Sequence, residues 1–295
     1  MSAPPGKPRA FPPRKDGSRP SARHGRSYPG GKPDHGKSDR GKPDHGLGSL
    51  PDDRFMLFGI HAVTAALANP ERRIKHIVAT ENAENRLAEA IAERGLTTER
   101  VRPKDLDRLL GADTVHQGVA IEVEPLPEPE LTQLVARANT SDGGPLIILD
   151  QVTDPHNVGA VLRSAAVFGA AGLITTRRHS PPLTGTLAKS ASGALELIPV
   201  ALVQNLSRAL EELKAAGVTV IGLDGEGDTL LEDAPLSGAV AFVLGAEGKG
   251  LRQLTRETCS AVCRIGTSQT LASLNVSNAA AIALHLSSMR RRAGR

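Results

Sequence analysis

Apolar positions in the second half of the chain follow two alternating spacings. Leu146–Leu149 is a continuous apolar run, which is typical of a strand covered on both faces of a parallel sheet. Val158, Val161, Leu162 and Ala165 follow at helical spacing and predict an amphipathic helix. By the same criteria we predict further strands at 172–175, 198–200, 218–223, 240–244 and 261–265, and helices at 185–191, 206–216 and 276–290. Strands that alternate with helices indicate an α/β fold with a mostly parallel sheet.

A shorter segment upstream shows the same alternation. We predict strands at 74–79 and 118–123, a short helix that ends at Ala68, and helices at 86–94 and 104–110. Prolines 125, 127 and 129, set among acidic residues, then indicate a linker. We therefore expect a small α/β domain at 54–125, a linker at 126–143 and a second domain at 144–295.

Composition separates residues 1–53 from both expected domains. They hold few aliphatic side chains and repeat the sequence Gly-Lys-Pro-Asp-His-Gly at 31–36 and 41–46. Such a segment cannot offset the entropy of ordering, so we expect a disordered, low-complexity tail. It carries 11 Lys and Arg against 6 Asp and Glu, a net charge of +5, whereas the whole chain carries +4 and residues 54–295 therefore carry −1. The tail is expected either to contact nucleic-acid phosphates or to act as a solubilising extension.

Cysteine and apolar content indicate the compartment. Cys259 and Cys263 are the only cysteines, and their spacing matches neither a redox pair nor a zinc site. We therefore expect reduced, packed thiols, a cytoplasmic protein and no bound metal. No apolar run approaches the ~18 residues of a membrane span, and we expect no secretory signal. Because the chain has no Trp and one Tyr, an aromatic platform for stacking bases is not expected.

Three polar segments follow predicted strands or open a predicted helix. They are Asp154-Pro-His-Asn157, which precedes Arg163 by six residues, then Gly245-Ala-Glu-Gly-Lys-Gly250, then Ser273-Leu-Asn-Val-Ser277. Because ligands of parallel sheets bind at the carboxyl ends of the strands, we expect a site there. The glycines match the spacing of neither a P-loop nor a dinucleotide-binding motif. They indicate a tight turn around Glu247.

In this order, the three segments resemble the motifs of the SpoU branch of the SPOUT methyltransferases, which methylate ribose 2′-hydroxyls of RNA. The resemblance covers residues 57–291, since Phe58–Val63 and Val115–Val119 are similar to the substrate-binding domain of the 23S rRNA guanosine-2′-O-methyltransferases. It implies a C-terminal α/β domain with a trefoil knot, a small ribosomal-protein-like α/β domain that binds RNA, and a homodimer with active sites at its interface. S-adenosylmethionine is the implied cofactor and 23S rRNA the implied partner.

The resemblance also implies roles for single residues. Arg163 is implied to activate the 2′-hydroxyl; because a guanidinium is a poor base, we expect it to orient a phosphate and stabilise the developing alkoxide. Asn157 is expected to position Arg163 or the ribose, or else to cap a helix. Glu247 is expected to hold Arg163 or the third segment. Ser273 and Asn275 are expected to contact the substrate or the methyl donor.

The methyl donor is expected to be enclosed by Leu244, Gly245, Ile265, Leu274 and Asn275. At one point the chain departs from the family, because Ile265-Gly-Thr-Ser-Gln269 stands where Ile-Pro-Met-x-Gly is usual. A glycine in place of proline leaves the backbone of this loop less restricted.

Two alternative functions stay open at this point. One is a tRNA guanosine 2′-O-methyltransferase, although the related tRNA enzymes generally lack the small domain. The other is a non-catalytic RNA-binding or ribosome-assembly protein of the same fold. Within the small domain, His61, His116 and Gln117 are expected either to contact RNA or to be structural.

Overall fold

The structure, a computed structural model, describes residues 55–268 and 274–293. These residues form two β-sheets with helices packed on them. The tail expected at 1–53 lies outside the described residues, and so does Ser273 of the third polar segment.

The small sheet is built from residues 55–123. Its elements are β1 (Phe55–Phe58), α1 (Ile60–Ala68), β2 (Ile74–Ala79), α2 (Glu81–Glu93), β3 (Glu99–Arg100), α3 (Pro103–Leu110) and β4 (Val119–Val123). The strands lie in the order β1-β4-β2-β3. Strand β4 runs antiparallel to both β1 and β2, whereas β3 runs parallel to β2.

Helix α2 begins five residues earlier than the helix predicted at 86–94. Thr80 precedes it in extended conformation, and the Thr80 hydroxyl accepts a hydrogen bond from the backbone N–H of Ala83 at 3.5 Å. Glu81 and Glu84 place negative charge in the first turn, where the helix dipole favours it. The prediction was wrong at this end because it followed only the apolar stripe and not the cap.

The linker expected at 126–143 contains a helix, α4 (Leu131–Ala138). The side-chain oxygen of Gln133 accepts a hydrogen bond from the backbone N–H of Glu130 at 2.8 Å and so closes the first turn. Leu134 is fully buried in the core of the second sheet. This segment therefore covers the second sheet as well as connecting the two sheets.

The second sheet is built from residues 146–293. Its elements are β5 (Leu146–Asp150), α5 (Pro155–Phe168), β6 (Gly172–Thr176), α6 (Gly185–Ala191), β7 (Val200–Val203), α7 (Leu206–Ala215), β8 (Thr219–Leu223), β9 (Thr229–Leu230), β10 (Val240–Gly245), α8 (Gln253–Thr258), β11 (Ala261–Arg264) and α9 (Val276–Ala293). The strands lie in the order β7-β6-β5-β10-β8-β11-β9, and every pair is parallel. The prediction of an α/β fold with a parallel sheet is confirmed.

Strand β7 begins two residues later than the strand predicted at 198–200. Pro199 has no N–H to donate, and its carbonyl accepts a hydrogen bond from the Leu173 N–H at 2.9 Å. The ladder with β6 therefore starts at Val200. The short elements β9 and α8 were not predicted, because two and six residues show no usable periodicity.

Alternate residues of β5 belong to two separate cores. Ile147 and Leu149 lie in the core formed with α5 and α9, whereas Leu146 and Ile148 lie in the core formed with α4 and α7. All four side chains are fully buried. This burial on both faces is what the continuous apolar run predicted.

The small sheet shares the first of these cores with the large sheet. Leu57 and Val63 belong to the same buried cluster as Ile147. The approach is close, because a Cβ on Gly193 would lie 2.6 Å from the Cβ of Ala65 in α1. Gly193 also has a φ of 93°, so both space and backbone conformation favour glycine there. The two expected domains therefore belong to one compact unit.

Cys259 and Cys263 are free thiols, half-buried and buried respectively. Burial raises the pKa of the Cys259 thiol to about 11. The expectation that the two cysteines are packed and unpaired is confirmed.

No helix within residues 55–268 and 274–293 is long and apolar enough to cross a membrane.

Candidate functional site

The first polar segment opens helix α5 at the carboxyl end of β5. Asp154 caps the helix, and its carboxylate accepts a hydrogen bond from the backbone N–H of His156 at 2.9 Å. Pro155 occupies the first turn, where backbone N–H groups have no partner within the helix, so its missing N–H costs no hydrogen bond. This cap fixes Asn157 in the first turn beside the end of the sheet.

Asn157, Glu247 and Asn275 come from the three polar segments and meet in one hydrogen-bonded cluster. The Asn157 amide donates to Glu247 Oε1 at 3.1 Å. The Asn275 amide donates to Asn157 Oδ1 at 3.0 Å and also to Glu247 Oε1. Asn275 Oδ1 in turn accepts hydrogen bonds from the backbone N–H and the hydroxyl of Ser277, at 2.8 and 2.5 Å. We call Asn157, Glu247 and Asn275 the amide–carboxylate cluster.

Arg163 lies outside this cluster. Its side chain is exposed on α5 and makes no hydrogen bond or ion pair with any residue that the structure describes. Six residues along an α-helix turn by about 240°, so Asn157 and Arg163 project from different faces of α5. Of the two partners expected for Glu247, the structure therefore pairs it with the third segment and not with Arg163.

The second polar segment forms a tight loop after β10. The backbone N–H of Gly250 donates to the Ala246 carbonyl at 2.9 Å, and Gly248 and Gly250 have φ values of 75° and 63°. A Cβ on Gly245 would lie 2.1 Å from both the carbonyl carbon and the carbonyl oxygen of Gly250. The glycines thus permit a turn that presents Glu247 to Asn157, as the sequence indicated.

A cleft of about 730 Å³ lies beside the cluster, at the carboxyl ends of β8 and β10. Four residues predicted to enclose the methyl donor line it, namely Leu244, Gly245, Ile265 and Leu274. Asn275 does not line the cleft, although its neighbours Leu274 and Val276 do. A cleft of this size is suited to a cofactor-sized ligand.

Acidic residues after β8 also line the cleft, and sequence reasoning missed them. Asp224 and Glu226 face it together with Arg256, whose guanidinium lies 3.3 Å from the Asp224 carboxylate and 3.7 Å from the Glu226 carboxylate. Both acidic residues directly follow the strand predicted at 218–223. The rule that ligands bind at strand ends would have singled them out.

The loop that departs from the family pattern forms one wall of the same cleft. Ile265 and Thr267 line it, whereas Gly266 is exposed and does not adopt a left-handed φ. Among the residues that the structure describes, a Cβ at Gly266 would meet only Leu230, at an ordinary contact distance of 3.7 Å. The backbone here does not require glycine.

Two of the three polar residues singled out in the small domain have structural contacts. The backbone N–H of Ile60 donates to Gln117 Oε1 at 2.9 Å, at the start of α1. His116 lies 3.1 Å from Asp107 and accepts a hydrogen bond from the Gly118 N–H at 3.0 Å. His61 is exposed.

The fold and the site together define an α/β protein with a ligand cleft at the carboxyl ends of its parallel strands. Residues 144–285 match the SpoU rRNA methylase family, and residues 56–129 match the model for RNA 2′-O ribose methyltransferase substrate binding. The chain belongs to the SpoU methylase family, so the resemblance seen in the sequence is confirmed.

Several relatives are similar over most of their length. The 23S rRNA (guanosine-2′-O-)-methyltransferase RlmB of Photobacterium profundum is 40% identical over 234 residues, which cover 78% of this chain and 95% of that protein. The protein of the same name from Pseudomonas syringae pv. tomato is 38% identical and covered to 92%. Among solved structures, the AdoMet-bound rRNA methyltransferase of Sinorhizobium meliloti matches with a TM-score of 0.68 and 25% identity, over 80% of this chain and 87% of that one.

Proposed function

We propose that this protein transfers a methyl group from S-adenosylmethionine to the ribose 2′-hydroxyl of a guanosine in 23S rRNA. The observation that carries the proposal is the cofactor-sized cleft adjoining the amide–carboxylate cluster, both at the carboxyl edge of the sheet. The choice of rRNA guanosine follows the function named for relatives that are about 40% identical over nearly their whole length.

The residues of the cleft fit the chemistry of this donor. Leu244, Ile265 and Leu274 offer apolar surface for an adenine ring. Asp224 and Glu226 offer carboxylates that accept hydrogen bonds from ribose hydroxyls. When bound, S-adenosylmethionine supplies the methyl group on a positively charged sulfur. We propose that these five residues hold it, with Gly245 leaving room beside them.

The remaining residues orient the reacting hydroxyl. Two side-chain amide contacts fix the Glu247 carboxylate, so its second oxygen stays available for an incoming group. Arg163, exposed and without a partner in the described part of the chain, is free to bind an RNA phosphate and to stabilise negative charge on the attacking oxygen. Ser273 and Asn275 are proposed as further contacts to RNA or donor.

Assembly and compartment are part of the proposal. A homodimer is supported by helices α5 and α9, which pack together and expose Val167 and Met289 to 76% and 53%. The small domain is proposed to bind the RNA, as the family model for its residues suggests. A trefoil knot in the second domain and a cytoplasmic location follow from the family and remain predictions.

The decisive experiment is a map of ribose methylation by mass spectrometry in 23S rRNA and tRNA, with and without the gene. We expect one 23S guanosine to lose its 2′-O-methyl group. Loss of a tRNA methyl group instead would show that the substrate is tRNA. An unchanged map, together with no binding of S-adenosylmethionine by calorimetry, would refute the enzymatic proposal.

A single substitution tests the role of Arg163. Arg163→Ala should reduce methyl transfer by more than about 100-fold, as for loss of a transition-state contact, with donor affinity and unfolding unchanged. Near-normal turnover in this variant would remove Arg163 from the mechanism. Glu247→Gln is the companion variant, because it keeps the shape of the amide–carboxylate cluster while removing its charge.

A further inference from the structure

A second groove runs along the carboxyl edge of the large sheet and adjoins the donor cleft, with which it shares Ala246, Glu247 and Lys249. It consists of two adjoining pockets of about 420 and 380 Å³ that share Gln151 and His179. The first pocket contains Asn157 and Glu247 of the amide–carboxylate cluster, and the second reaches Asn205 and Ser207. We call these two adjoining pockets the edge groove.

The backbone of the edge groove is held in an unusual conformation at two points. Gln151 and His179 have φ values of 58° and 63°, in the left-handed region that residues other than glycine seldom adopt. They follow β5 and β6, which are neighbours in the sheet. Residues in this conformation are strained, and they concentrate where a fold positions groups for function.

An oriented arginine, Arg252, lines the second pocket of the groove. Asp150, at the end of β5, has a fully buried side chain, and its carboxylate accepts hydrogen bonds from Arg252 Nε at 2.7 Å and from the Arg252 backbone N–H at 3.2 Å. The Arg252 side chain is still 46% exposed, and its two terminal nitrogens have no partner within the described ranges. The buried carboxylate thus fixes the guanidinium with its bidentate end pointing away from Asp150.

The charge of the lining differs from that of the donor cleft. In the pocket beyond the cluster, Arg178, Arg252 and His179 line the walls, and no Asp or Glu is among the lining residues. The donor cleft is mixed in charge, with the carboxylates of Asp224, Glu226 and Glu247 beside the cations Lys249 and Arg256. The pocket of the edge groove beyond the cluster therefore offers cations without competing carboxylates to a polyanion, whereas the pocket at the cluster also contains Asp154 and Glu247.

We propose that the edge groove binds the RNA strand next to the target nucleotide, with Arg252 contacting one phosphate and Arg178 another. This inference rests on the proposed function and adds the path of the substrate to it. An RNA backbone in the groove would run directly to Asn157 and Glu247, where the reacting ribose is proposed to lie. Arg252 is a positioning residue here, and Asp150 orients it.

Three variants test this path. Arg178→Ala removes one cation. Asp150→Asn combined with Arg252→Met removes the oriented arginine without leaving a buried charge, and it keeps the net charge of the chain unchanged. Arg177→Ala is the matched control, because it loses the same charge one residue away while its side chain is bound to Glu128 at 2.6 Å.

Each variant is assayed for turnover on protein-free 23S rRNA and for RNA binding over a series of KCl concentrations. We expect Arg178→Ala and the double variant to raise KM for RNA about tenfold, with kcat and donor affinity within twofold. Each should reduce the salt slope of RNA binding by about 0.7 for the lost phosphate contact. Arg177→Ala should behave like the wild type.

The two proposals fail in different ways. Wild-type KM and salt slope in both Arg178→Ala and the double variant would overturn the edge groove as an RNA path while leaving methyl transfer intact. Conversely, a wild-type protein that binds RNA but methylates none would refute the proposed function. A reduced salt slope in the two variants would then still support the groove.

Discussion

The buried ion pair between the two sheets gives a stability prediction that can be worked from the structure. Arg72 follows α1 and Glu196 lies in the short helical turn Ala194–Glu196, with side chains only 4% and 3% exposed. The Arg72 guanidinium donates to the Glu196 carboxylate from Nε at 3.1 Å and from Nη2 at 2.7 Å, and to the Glu124 carbonyl at 2.7 Å. Asn69 donates a further hydrogen bond to Glu196 at 2.8 Å.

Glu196→Gln keeps the shape of this arrangement and removes one charge. Removing one partner of a buried pair costs about 3–5 kcal/mol, because the other charge is left uncompensated. Since glutamine retains one acceptor oxygen for Arg72, we expect the lower end of this range, about 3 kcal/mol. That corresponds to about a 150-fold loss in the folding equilibrium constant.

Urea unfolding followed by far-UV circular dichroism measures this change, since the chain has no Trp for fluorescence. Glu212→Gln is the control, because it breaks the exposed Arg208–Glu212 pair and should cost less than about 0.5 kcal/mol. The double variant Arg72→Met with Glu196→Gln should be more stable than Glu196→Gln alone, as no buried cation remains. A free energy of unfolding within 1 kcal/mol of wild type for Glu196→Gln would refute the reasoning.

The remaining predictions concern the cleft, a thiol and the tail. Gly245→Ala should weaken donor binding more than about tenfold, measured by calorimetry, because its Cβ would lie 2.1 Å from the Gly250 carbonyl. Gly266→Ala should leave the donor affinity unchanged, and equal affinities in the two variants would contradict this prediction. Alkylation of Cys259 at about pH 8 should be about 100-fold slower in the native protein than in urea, because the pKa of the Cys259 thiol is raised from 9.0 to about 11. The alkylation rate of the native protein should increase as the pH rises towards 11. Equal rates in the native protein and in urea would contradict this prediction. Deletion of residues 1–50, which hold 11 Lys and Arg, should weaken RNA binding and flatten its salt dependence, and an unchanged slope would mean that the tail makes no phosphate contact.

Periodicity and motif order predicted the sheet and most of the candidate site. The apolar run in β5 identified a doubly covered strand, and the helical spacing of the apolar residues after it identified α5. Motif order also brought Asn157, Glu247 and Asn275 to one place, and of the two partners expected for Glu247 it is the third polar segment that contacts it. Helical phase shows separately that Asn157 and Arg163, six residues apart, lie on different faces of α5.

What the sequence did not show are pairings between distant segments. Arg72 and Glu196 are 124 residues apart, and Asp150 and Arg252 are 102 residues apart. A hydrophobic pattern predicts which positions are buried, but it does not indicate which charged side chains form an ion pair with each other. The helix at 131–138 was overlooked for a different reason, since the prolines just before it dominated the local signal.

The junction between the sheets has a consequence for how RNA is recognised. Leu57 and Ile147 share one core, and Arg72 and Glu196 pair across it, so the small domain is held against the large sheet by packing and by charge. An RNA segment bound to the small domain would then lie at a fixed distance from the donor cleft, and little entropy would be lost in aligning the two. Loosening the junction with Glu196→Gln should therefore raise KM for RNA while donor affinity stays unchanged. A junction that served stability alone would leave both constants as they are wherever the protein remains folded.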